Sequence, residues 1–228
     1  MLALRQAQAQ ARDAVHTALD APRLERDVGP LLWAHSAAHD RAEYLLRPDL
    51  GRRLGDGMSL PAGKHDLVLV LVDGLSARAV QDHAPAMVAA LRPGLAGWRL
   101  APVVAVRQGR VAVGDAVAQA IGASAVVVLI GERPGLSAAD SMSAYLTWRP
   151  GPTTSDADRN CISNIRPDGL PAPAAAHKVL WLLEAMRNRN LSGIALKDEA
   201  GPGHDADGRL DSDRSADLSD GVSILERS

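Results

Sequence analysis

The chain has 228 residues, 46% of them hydrophobic and 23% charged, which fits one globular domain with a genuine core, or one domain with appendages. No Phe, two Tyr and four Trp leave Ala, Val and Leu to fill that core and exclude an aromatic stacking platform for single-stranded nucleic acid. A single cysteine excludes an internal disulfide, and no apolar run approaches the ~18 residues of a transmembrane helix.

The N-terminus alternates small apolar and polar residues without a signal-peptide core, so a soluble cytoplasmic protein is expected. Leu2 to Leu19 reads as a helix ended by Asp20-Ala21-Pro22, and Arg23 to Leu46 as further helix interrupted at Gly29-Pro30. Residues 1–55 are therefore expected to form an N-terminal helical segment. From residue 56 the pattern changes to alternating strand and helix. Leu67 to Val72 is a buried strand running into Asp73-Gly74-Leu75-Ser76, and Ala77 to Leu91 is helical, with Pro85 breaking or restarting it. Leu100 to Val106 is a second strand, followed by Arg107-Gln108-Gly109-Arg110 and a short helix over Asp115 to Ile121 closed by Gly122. Ala125 to Ile130 is a third strand, opening into Gly131-Glu132-Arg133-Pro134-Gly135; Ser143 to Trp148 reads as a fourth, and Pro171 to Asn190 as a last helix. The tail from Lys197 holds nine acidic and four basic residues, and its Asp-, Ser- and Gly-rich composition predicts disorder over 197–228.

Apolar strands separated by helices imply an α/β fold, Rossmann-like, with a mainly parallel sheet flanked by helices over 56–196. The loops after Val72, Val106 and Ile130 then share one carboxyl rim, where ligands of open α/β sheets bind. That rim gathers Asp73, Arg107, Arg110, Glu132 and Arg133, and it suits a large polar ligand with many amide or phosphate groups.

Known motifs narrow the chemistry. No G-x-G-x-x-G follows a strand, and Gly63-Lys64 fails as a phosphate loop because His65 stands where Ser or Thr is needed. The seven His are scattered without zinc spacing; His35 and His39 share a helical face on the reading above but lack the intervening Glu of a metalloprotease helix. The strand-end Asp73 resembles that of metal-dependent phosphohydrolases of the alkaline phosphatase type, although no Asp-His cluster follows to complete the ligands. Cys161, preceded by Asp158-Arg159, has the neighbouring cation of an activated thiolate but no paired His.

Six segments occur in a specific order: RPDLGRRL (Arg47 to Leu54), VDGLS (Val72 to Ser76), GRV (Gly109 to Val111), GERPGL (Gly131 to Leu136), SMSAY (Ser141 to Tyr145) and DRNCISNI (Asp158 to Ile165). In order and approximate spacing they resemble the small (light) subunit of ethanolamine ammonia-lyase, from about Leu46 to Leu196. The resemblance implies an adenosylcobalamin-dependent carbon-nitrogen lyase that converts ethanolamine to acetaldehyde and ammonia by a radical mechanism. It also implies a large barrel subunit that carries the substrate site, with the cofactor enclosed at the interface between the two.

Carried over by motif, the cofactor-binding positions are Val111, Glu132 and Cys161. Ordinary packing remains the alternative for each: Val111 at a helix start, Glu132 in an ion pair with Arg133 or Arg110, Cys161 in the core. No Asp-x-His-x-x-Gly segment supplies a replacement lower ligand, in agreement with the base-on binding that the family implies. No catalytic residue is expected in this chain: enzymes lower barriers by about 8 to 23 kcal/mol, whereas one hydrogen bond contributes about 1 kcal/mol net. The expected location is the cytoplasm, free or inside a bacterial microcompartment. Two other classes stay open at this point, a metal phosphohydrolase built on Asp73 and a noncatalytic assembly module.

Overall fold

The structure, a computed structural model, describes residues 17–132 and 140–196. The helix expected from Leu2, the acidic tail from Lys197, and Arg133 to Gly135 of the third rim loop lie outside the described residues.

In chain order the regular elements are α1 (Ala21–Val28), β1 (Leu32–His35), α2 (Arg41–Leu46), β2 (His65–Val72), α3 (Ala77–Leu91), β3 (Val104–Arg107), α4 (Val113–Ile121), β4 (Ala123–Gly131), β5 (Met142–Trp148), β6 (Arg159–Ile165) and α5 (Ala172–Arg189). Their ends follow local chemistry. Asp20 caps α1 by accepting from the Arg23 N–H, with Pro22 in the first turn, and Ser76 caps α3 by accepting from the Ala79 N–H. Gly122 closes α4 at φ 74°, a conformation glycine adopts without steric cost. Pro85 lies inside α3 without breaking it.

The six strands form one sheet in the order β1-β3-β2-β4-β5-β6. β1, β3, β2 and β4 run parallel, β5 runs antiparallel to β4, and β6 antiparallel to β5. The fold is α/β with helices on the sheet, but the sheet is mixed. The reason is the connection from Glu132 to Ser141: a parallel return needs a crossover of about a dozen residues or more, usually helical.

The N-terminal segment also differs from the expected helix. Leu32–His35 is a strand paired in parallel with β3, not part of a helix, and β6, which carries Cys161, forms the opposite edge. Leu67, Leu69 and Leu71 point to a core with α1, α3 and α5, whereas Val68, Val70 and Val72 point to a second core with α4. This period-two alternation buries β2 on both faces. After β2 the chain crosses to β3 on one side of it and returns through α4 to β4 on the other. The direction change leaves a crevice at the carboxyl end of β2, between the loops that follow β3 and β4.

Candidate functional site

Asp73, the first residue after β2, organises the crevice. It is 5% exposed; its Oδ2 accepts from the Gln108 N–H at 2.8 Å and its Oδ1 from the Gly109 N–H at 3.2 Å. Arg41 lies 3.8 Å from Oδ2 and donates to the Gly74 carbonyl at 2.8 Å. Burial raises the Asp73 carboxyl above its ordinary value, against the pull of the two amides and Arg41. The carboxylate thus ties the loop after β2 to the loop after β3. Among the described residues no group of three His, Cys, Asp or Glu side chains is arranged to hold a metal ion around it. Gly74, at φ 56°, presses against Gly131, and a Cβ there would overlap the Gly131 carbonyl, so the rim loops meet backbone to backbone.

Beside this clamp lies a cleft of about 200 Å³, whose lining includes Tyr44, Arg110, Val111, Glu132 and Tyr145. The buried Tyr44 donates from its hydroxyl to the Gly109 carbonyl at 3.2 Å, with the guanidinium groups of Arg110 and Arg41 at 4.3 Å and 4.6 Å from its ring centroid. Burial pushes the Tyr44 phenol up to about 12 despite the nearby Arg110. Arg110 donates from Nη2 to the Tyr44 carbonyl at 3.4 Å, while its buried Nε has no acceptor among the described residues.

Val111 and Glu132 therefore share one cleft. Val111 sits in the turn before α4, half-buried against the Val-rich core. Glu132 follows β4 directly; its N–H donates to the Ser141 carbonyl at 2.9 Å, and its Oε1 accepts from the Tyr145 hydroxyl at 3.1 Å. Cys161, exposed on β6, stands opposite Tyr145 in the strand register, and the two groups influence each other's ionisation. Glu132, Tyr145 and Cys161 form one group across β4, β5 and β6.

Partial desolvation raises the Cys161 thiol, the Tyr145 hydroxyl opposes that, and the Glu132 charge adds to it. The thiol is not an activated nucleophile, because Arg159 turns to the Asp115 carboxylate. Glu132 is held by Tyr145 instead of the Arg110 considered from the sequence. Tyr145 and Tyr44 were missed by sequence reasoning; in Ser141 to Trp148 the alternation of Met142, Ala144 and Leu146 with Ser143, Tyr145 and Thr147 carries the signal for Tyr145.

A larger hollow of about 600 Å³ at the ends of β1 and β3 holds none of these residues and is lined in part by Trp33, His35, His39 and Arg107. His35 ends β1 and His39 lies in the loop beyond it, so the helical face proposed for the pair does not exist.

The sequence model of the ethanolamine ammonia-lyase light chain (EutC) family matches residues 1–197. The chain belongs to this family. It is similar to the ethanolamine ammonia-lyase small subunit of Ralstonia nicotianae, 48% identical over 213 residues, covering 87% of this chain and 79% of that one. That of Pseudomonas fluorescens is 49% identical over 227 residues (93% and 81%), and that of Xanthomonas campestris pv. campestris 50% over 208 residues (85% and 76%). The family is that of a carbon-nitrogen lyase. For a light chain of this lyase the geometry separates two kinds of residue. Asp73 is spent on its own loops, whereas Glu132 lines the cleft with Oε1 bonded to Tyr145, and Cys161 is exposed.

Proposed function

We propose that this chain, the small subunit of an ethanolamine ammonia-lyase, encloses one edge of adenosylcobalamin at the interface with the large subunit, using Val111, Glu132 and Cys161. The donor set fits such a ligand. A corrinoid edge presents carboxamide arms and methyl groups; the Glu132 carboxylate accepts an amide N–H, and Val111 offers apolar contact. The cleft, at about 200 Å³, takes an edge of so large a macrocycle and leaves the remainder to the large subunit.

The observation that supports this reading is that Val111 and Glu132, from two separate motifs, line one cleft, and that Tyr145 in the same lining stands opposite Cys161 in the β5–β6 register. When bound, adenosylcobalamin supplies radical chemistry through its cobalt–carbon bond. This chain's residues bind and orient: Glu132 is fixed by Tyr145, and the Asp73 clamp holds the loops that carry Val111. The cofactor is base-on in this reading, and residues 56–196 bear all three contacts. The same reading locates the complex in the cytoplasm, free or in a microcompartment. Among the described residues no helix is long and apolar enough to cross a membrane.

The test is co-purification with a candidate large subunit, with and without adenosylcobalamin, reading the bound corrinoid by its visible spectrum and acetaldehyde release from ethanolamine. Corrinoid retention and activity only with both chains support the proposal. Association without corrinoid or activity would move it to an assembly module.

A further inference from the structure

Tyr145 occupies a position that no motif argument assigned. Its ring packs against the Val-rich core on the α4 face of the sheet, and its hydroxyl reaches the cleft. There it donates to Glu132 Oε1 at 3.1 Å and faces the Cys161 thiol, its partner in the β5–β6 register. One tyrosine thus links the Glu132 carboxylate to the strand that carries Cys161. We propose that Tyr145 is a positioning residue for the corrinoid: its hydroxyl fixes the Glu132 carboxylate so that Oε2 faces the ligand.

The inference rests on the cleft being the corrinoid site. The physical reason is the freedom of Glu132. The residue lies just beyond the end of β4, where its N–H donates to the Ser141 carbonyl. Without Tyr145 its side chain samples several rotamers, and only a fraction of them presents an oxygen to the cleft. The hydroxyl removes that entropy before the ligand arrives. Tyr145→Phe keeps the ring and its packing, so the fold is retained while the anchoring is lost.

Cys161 is the only cysteine of this chain and serves as an internal reporter. Among the described residues, the ionisable groups that bear on its thiol are Tyr145 on β5 and Glu132 just after β4; Arg159, two residues before it on β6, is engaged by Asp115 and Asp156. The hydroxyl stabilises the thiolate and the Glu132 charge disfavours it. Removing the hydroxyl therefore slows thiolate alkylation at fixed pH, and removing the charge accelerates it. A general loosening of the cleft would not move the two variants in opposite directions.

The experiment measures iodoacetamide modification of Cys161, by peptide mass spectrometry, in the complex of both subunits. Wild type, Tyr145→Phe and Glu132→Gln are compared at one mildly alkaline pH, each with and without adenosylcobalamin, together with cofactor affinity. We expect cofactor to protect Cys161 in wild type. Without cofactor, Tyr145→Phe should slow modification and Glu132→Gln accelerate it, and Tyr145→Phe should weaken affinity roughly threefold to tenfold, as for one hydrogen bond. Absence of protection in wild type overturns the cleft as corrinoid site. Protection in wild type with modification or affinity unchanged in Tyr145→Phe overturns the role of Tyr145 alone.

Discussion

Arg159 and Asp115 form a buried ion pair that fastens β6 to α4. The Arg159 Nη2 donates to Asp115 Oδ2, and its Nη1 donates to Asp156 Oδ1 at 3.1 Å. The Arg159 and Asp115 side chains are 4% and 10% exposed. Asp115 lies four residues after Val111 and Arg159 two before Cys161, so the pair fixes the separation between two walls of the site. Asp115→Ala leaves a buried guanidinium with only the exposed Asp156 as carboxylate partner, and we expect a loss of about 3 to 5 kcal/mol of stability. Urea unfolding of the full chain measures it; a loss below ~1 kcal/mol would show that the pair does not hold the elements together.

Asp73 gives a second prediction. Asp73→Ala strands the Gln108 and Gly109 amides and removes the counter-charge of Arg41. Each buried donor left unsatisfied costs about 1 to 3 kcal/mol. We expect lower stability together with weaker cofactor retention, because the loop leading to Val111 loses its anchor. Unfolding curves and the corrinoid content of the purified complex report both, and a stable variant with full corrinoid content would refute the clamp.

Tyr44 links stability to alkaline pH. Its folded-state phenol is raised to about 12, from an ordinary 10.0, chiefly by burial. A raised value means that the neutral form is favoured in the folded chain. The contribution is full below pH 10 and is lost as pH rises from there through about 12. Tyr44→Phe should cost about 1 kcal/mol at neutral pH through the lost bond to Gly109, and the gap to wild type should narrow above pH 10. A gap that stays constant or widens there contradicts the assignment.

The sequence made the centre of the fold legible and its edges obscure. β2 and β4 are continuous Val and Leu runs buried on both faces, and α3 was read with its observed ends, Ala77 and Leu91. β1 has four residues and pairs on one side only, so Leu32-Trp33-Ala34-His35 carries too little pattern to stand out from flanking helix. β6 is largely polar, with Cys161, Ser163 and Asn164 exposed on an edge, and its ladder with β5 slips near Met142 and Ala144. Hence Cys161 could be expected near Glu132 only through the family resemblance. Glu132 and the clustering of the rim loops followed from parallel β2, β3 and β4. Tyr145 and Arg159 required the pairing of β4, β5 and β6, which no local pattern encodes.

The most direct test of the cofactor-clamping role is Glu132→Ala in the two-subunit complex, with adenosylcobalamin affinity and turnover at saturating cofactor measured on the same preparations. On the proposed role, removing the carboxylate takes away one ligand contact and no reacting group. We expect affinity to fall roughly tenfold, as for one charge-assisted hydrogen bond, while turnover at saturation falls less. Unchanged affinity with collapsed turnover would contradict a retaining role for Glu132 and assign it to the chemical step.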